Sequence, residues 1–153
     1  MAQRKIVRKA QLKDAKGIYK LISYYAKKNI MLPRALSQVC EAIRDFWVYE
    51  DGAILGCVAL HIYSDDLAEV KSLAVDSSKR RQGIGRSLLE VCLDEANDLG
   101  IKRVFVLTLV TTFFKKFGFK AIDKAKLPQK IWGECVECAK FAKCDEVAYI
   151  KRL

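Results

Sequence analysis

Between residues 68 and 110 the chain changes its hydrophobic period three times. "AEVKSLAVD" (68–76) reads as a strand, "SSKRRQGIG" (77–85) has no apolar period, and then Leu88, Leu89, Cys92, Leu93 and Ala96 recur on one helical face. Gly100 supplies a helix stop, and "KRVFVLTLV" (102–110) returns to a strand so apolar that it suits burial on both faces. A strand, a basic glycine-containing loop, a helix and a second strand restrict the chain to layered α/β architectures.

The flanks agree with that restriction. "KIVRKA" (5–10) reads as a short strand, Asp14 stands in a capping position, and Ile18, Leu21, Ile22, Tyr25 and Ala26 mark an amphipathic helix near 13–28. "ALSQVCEAI" (35–43) reads as a shorter helix after Pro33. Two apolar runs then meet at Glu50-Asp51-Gly52, and Asp-Gly between strand-like runs signals a hairpin. "TTFFKKFGF" reads as a short aromatic helix ended by Gly118, "FKAI" as a strand beyond it, and "EVAYIKRL" as a closing strand. With no repeat, linker or low-complexity tract, residues 1–153 form one expected domain. Its fold class is α/β (mixed α+β), a central mixed sheet flanked by helices.

The central loop has the layout of an anion site. A first helical turn offers unpaired N–H groups and about half a positive charge. Gly83 and Gly85 allow close backbone approach, and Lys79, Arg80, Arg81 and Arg86 add positive charge around the same point. The bland alternative is a solvated basic loop before an ordinary helix. The glycine spacing fits neither G-x-G-x-x-G nor G-x-x-x-x-G-K-[ST]. A net charge of +10 favours anionic partners without choosing among them.

No run of roughly 18 apolar residues suggests a membrane span, and no signal-peptide segment follows the charged first residues. A cytoplasmic protein is expected. Its six cysteines then argue against disulfides, and Cys40, Cys57 and Cys92 sit in apolar runs as small core residues. Cys135, Cys138 and Cys144 have half the look of a zinc site, but the tail offers no fourth cysteine or nearby histidine, so no metal is expected. A basic nucleic-acid-binding module is the rival class, without a recognition-helix or RNA-binding motif to carry it.

Arg80-Arg81-Gln82-Gly83-Ile84-Gly85 resembles the Q/R-x-x-G-x-G/A motif of the GNAT superfamily of acetyl-CoA-dependent N-acetyltransferases, and "FFKKFGF" resembles that superfamily's later aromatic motif. The resemblance covers nearly the whole chain. It implies acetyl-CoA as co-substrate, its pyrophosphate on the loop Arg80, Arg81, Gln82, Gly83, Ile84, Gly85, Arg86 and Ser87. It also implies contacts of the pantetheine arm with the strand main chain at Leu73, Ala74 and Val75, and a wall at Phe114. "LAEVKSLAVD", "VFVLT", "NIMLPR" and "KLP" further resemble the acetyltransferase domain of bacterial N-acetylglutamate synthases, most of all their short stand-alone form. This narrower resemblance implies glutamate as acceptor and a place in arginine biosynthesis; another small amine or a peptide amine is the alternative acceptor.

The chemistry asks for few side chains. An α-ammonium must lose its proton before attacking a thioester, and main-chain N–H groups at 73–75 can stabilise the oxyanion. The resemblance makes Glu69 the base acting through water; otherwise it is a solvated carboxylate paired with Lys71 or Lys102. Phe114 stands where many superfamily members carry an acidic tyrosine, so Thr108 is the expected substitute for orientation or proton relay. Its plainer role is that of a β-branched strand residue. Arg34 is matched to an arginine that holds the substrate's side-chain carboxylate, and Ser72 is the other expected substrate contact. The synthases' tail arginine and serine fall near Lys143 and Asp145, so neither is kept. His61 is read as a strand-face histidine outside the site. The expected partner is a small-molecule acceptor, with no nucleic acid and no membrane; a homodimer is compatible with the sequence.

Overall fold

A computed structural model describes residues 6–127 and 147–153. The strands are β1 (Ile6–Lys9), β2 (Phe46–Glu50), β3 (Ile54–Ile62), β4 (Leu67–Val75), β5 (Arg103–Thr108), β6 (Lys120–Ile122) and β7 (Val147–Arg152). The helices are α1 (Ala15–Lys27), α2 (Leu36–Glu41), α3 (Ile84–Asp98) and α4 (Thr111–Lys115). The strands form one sheet in the order β1-β2-β3-β4-β5-β7-β6. Only β4 and β5 run parallel among these pairs, because α3 carries the chain between them. The expected mixed sheet flanked by helices is what the chain forms.

The sheet separates two apolar layers by the two-residue alternation of its strands. Val58 and Leu60 of β3 and Val70 of β4 meet α3 through Leu88, Leu89 and Cys92, all buried. Cys57 and Ala59, their neighbours on β3, instead meet α1 through Ile18, Leu21 and Ile22. Two glycines bring the helices close. A Cβ at Gly56 would stand 2.9 Å from Leu88 Cδ1, and one at Gly17 would stand 2.9 Å from Ile54 Cβ.

The Asp51-Gly52 hairpin forms as expected, with Gly52 at φ +76°. Asp14 does not cap α1 with its side chain. Its carboxylate is taken by Arg8 at 2.8 and 3.0 Å and by the Gln11 N–H at 2.8 Å. Burial pushes this carboxyl up, but the Arg8 and Gln11 hydrogen bonds and the Arg8 charge outweigh it and hold Asp14 below the usual carboxylate range. The pair ties β1 to the entry of α1. Cys135, Cys138, Cys144, Lys143 and Asp145 lie outside the described residues.

Candidate active site

The site begins where a ladder stops. β4 pairs with β5 at Leu67↔Arg103, Ala68↔Val104 and Glu69↔Phe105, and there the pairing ends, although β4 runs on to Val75 and β5 to Thr108. Beyond Glu69 the two strands diverge, and one edge of β4 has no strand beside it. The other edge is distorted. Cys57↔Ala74 and Ala59↔Lys71 pair two steps of β3 with three of β4, so β4 carries one extra residue, a β-bulge. Ser72 lies in it at φ +56°, the left-handed region that few non-glycine residues enter. The buried Cys57 thiol, pushed up to about 12 by burial, stays protonated and donates to the Ser72 carbonyl at 3.4 Å.

Strand parity decides which main-chain groups are offered to the gap. The Asp76 N–H donates to Leu55 O on β3, so Val75 turns its own N–H and C=O the other way. The Val75 carbonyl accepts the Tyr25 hydroxyl of α1. That narrows the expected strand-like pairing at Val75 to its N–H.

At the end of β4 the Asp76 carboxylate accepts the Ser78 N–H and hydroxyl at 3.0 and 2.6 Å, which hold it below its ordinary range and close a turn over Ser77–Lys79. The chain then passes Arg81 at φ +64° and Gly83 at φ +79°, and α3 starts at Ile84. Gly83 has no side chain to cap α3, so the first-turn amides point outward without a side-chain acceptor. Gly83 is needed for its backbone conformation. Gly85 is not: it is helical, and a Cβ there would make ordinary contacts with Phe113 and Val75 at 3.6–3.8 Å.

A cavity of about 590 Å³ occupies the gap. Its cationic end is lined by Lys79, Arg80, Arg81, Arg86 and Lys116 around the start of α3, and Arg80 lies over the Tyr25 ring at 5.6 Å. Gly83, Ile84 and Gly85 complete that end, whereas Gln82 and Ser87 do not line it; the Ser87 N–H closes the first helical bond to Gly83 O at 3.0 Å. The middle is bounded by Leu73, Ala74 and Val75 on one side and by Val106, Phe113 and Phe114 on the other. Glu69, Lys71 and Ser72 of β4, Thr108 of β5 and Arg34 from the connection between α1 and α2 also line it.

Glu69 is 6% exposed, so it does not stand in solvent, and Tyr63 Oη donates to its Oε1 at 2.9 Å. Thr108 is also buried, and its hydroxyl accepts the Val110 N–H at 2.9 Å, closing the turn into α4. Phe114 is a core residue against Phe119, with ring centroids 5.5 Å apart. His61 lies outside the cavity lining, its Nδ1 2.9 Å from Asp45 Oδ2. Tyr25, Tyr63 and Lys71 were not singled out for the site from sequence. Tyr25 fits the apolar face of α1 equally well, and Lys71 reads as an ordinary strand-face cation.

A main-chain edge, first-turn amides without a side-chain cap and seven cations lining one cavity suit a long anionic ligand with a diphosphate. The acetyltransferase (GNAT) domain family matches residues 42–121. The chain is also 45% identical over 148 residues to an uncharacterized N-acetyltransferase of Chlorobaculum tepidum, covering 96% of each chain.

The chain is a GNAT acetyltransferase.

It is 38% identical over 135 residues to the amino-acid acetyltransferase of Mycobacterium tuberculosis, covering 86% of this chain and 77% of that one. Its fold superposes with a TM-score of 0.89 on N-acetylglutamate synthase from Neisseria gonorrhoeae, solved with coenzyme A and N-acetyl-glutamate, at 26% identity. That alignment covers all of this acetyltransferase and 36% of the longer protein. Acetyl-CoA is the co-substrate, and when bound it supplies the thioester that acetylates an amine. The observed cavity fits it: cations and first-turn amides at the α3 end suit its diphosphate, and the open edge of β4 suits its amide-bearing arm. Among the described residues no helix is long and apolar enough to cross a membrane.

Proposed function

We propose that this acetyltransferase acts on the α-amino group of a small acidic amino acid, glutamate first among them. The observation that carries the proposal is that a buried carboxylate, Glu69, and a cation, Arg34, line the same cavity as the bulged edge of β4. An amino acid arrives as an ammonium and must lose a proton; Glu69 accepts it, directly or through a water. The N–H groups of Leu73 and Val75 polarise the carbonyl under attack. Arg34 holds the distal carboxylate through a guanidinium fork, Ser72 lines the same cavity, and Thr108 orients α4 instead of donating a proton. Names of the relatives support an amino-acid acceptor, and acetylation of glutamate would place the enzyme in cytoplasmic arginine biosynthesis.

A thiol-release assay with acetyl-CoA against amino acids, polyamines and peptides tests this. Glutamate should be the best acceptor, and Glu69→Gln should lower kcat by about 10²–10⁴-fold. Arg34→Lys should raise KM for glutamate, and Arg34→Ala more so, with acetyl-CoA binding unchanged. Equal rates on glutamate and glutamine would refute the carboxylate fork. A polyamine or peptide as best acceptor would refute the acidic amino acid.

A further inference from the structure

Glu69 has two cross-strand neighbours, His61 on β3 and Phe105 on β5. Both hold the same third ring. Tyr63 meets His61 edge-on at 4.8 Å between centroids and lies against Phe105 at 5.7 Å. Its backbone is fixed as well, because its N–H donates to Leu67 O at 2.9 Å across the β3–β4 turn. With the ring held on two sides and the backbone pinned, the hydroxyl has one direction to point. It donates to Glu69 Oε1 at 2.9 Å. His61 is itself anchored by Asp45 at 2.9 Å.

We infer that Tyr63 is the positioning residue of the proton-accepting carboxylate, holding Glu69 in one orientation at the fork between β4 and β5. This rests on the reading of Glu69 as the base. A carboxylate has about four lone-pair sites, and the Tyr63 bond occupies one of them. The bond also favours the ionised form, which is the form a base needs on arrival of a protonated amine. Among the described residues, Tyr63 on the carboxylate, its cross-strand neighbour His61 with Asp45 behind it, Lys71 on the same strand and Arg34 in the cavity lining are titratable or charged groups that share this region with Glu69. Tyr63 is the one that both touches the carboxylate and is ring-locked by its register neighbours.

The test is Tyr63→Phe in the full chain, a change that keeps both ring contacts and removes only the hydroxyl. Carbon-13 NMR of the Glu69 carboxyl should show its titration midpoint rising by about one pH unit, and the acid limb of the kcat/KM profile should move up with it. The value of kcat should fall about tenfold, while KM for acetyl-CoA stays put. In a Glu69→Gln background the same change should have no further effect on rate. An unmoved midpoint and acid limb in a folded Tyr63→Phe protein would overturn the inference. Full activity in Glu69→Gln would instead overturn the base reading itself, whatever Tyr63→Phe does to the midpoint.

Discussion

At Ala68 and Glu69 β4 has a strand on each side, and Leu67, Ala68 and Glu69 are all buried. Three residues later the same strand is bulged toward β3, unpaired toward β5, and half-exposed at Ser72, Leu73 and Val75. Composition does not separate the two ends, for both are mainly apolar. What separates them is where the backbone hydrogen bonds go. At the closed end β4 is paired with β3 and β5, and Leu67 and Ala68 pack as core. At the open end the amides lack a neighbouring strand, and a ligand can supply what the sheet withholds. Structure and site are thus two uses of one strand, divided at Glu69.

Phe105→Ala should produce the largest effect. Phe105 is fully buried at the closed end, and its truncation should cost about 3–5 kcal/mol, read as a lower denaturation midpoint. A loss under 1 kcal/mol would show that the closed end is not a structural clamp. At the open end the order of effects should reverse. Gly83→Val forces a β-branched residue to φ +79° with no atom within 4 Å to clash, so folding should lose only about 1–3 kcal/mol. Binding should suffer far more: the wild type should gain about 2.7 kcal/mol of stability at acetyl-CoA 100-fold above Kd, and the variant should gain little. A full ligand-induced Tm shift in folded Gly83→Val would remove the loop from the cofactor site.

The smallest expected effects come from one substitution made at both ends. Ala68→Gly, in the fully buried paired segment, should cost about 1 kcal/mol. Ser72→Gly should cost almost nothing or stabilise slightly, since glycine accepts φ +56° without strain. Equal losses in urea titrations would mean that the bulge holds no backbone strain.

Much of the closed end was legible in the sequence, because strand alternation, the Asp51-Gly52 turn and the helical face of Leu88, Leu89 and Cys92 are local patterns. The loop at Gly83 was legible too, as a break in period filled with cations. The bulge at Ser72 and the fork at Glu69 were not. Both follow from register against β3 and β5, strands whose pairing no local pattern states. For the same reason the sequence lets Glu69 stand as a carboxylate in solvent, and no local pattern ties Tyr63 to it. Gly56 was readable in principle, since a glycine inside an apolar strand marks a close approach, here by Leu88.

Amide hydrogen exchange with and without acetyl-CoA tests the division of β4 most directly. The N–H groups of Leu73 and Val75 and the first turn of α3 at Gly85 and Arg86 should exchange readily alone and slow markedly with ligand. Ala68 and Val104, already paired, should exchange slowly in both states. Protection that appears elsewhere, or amides at 73–75 that stay fast in the saturated protein, would contradict the assignment of the open end as the cofactor site.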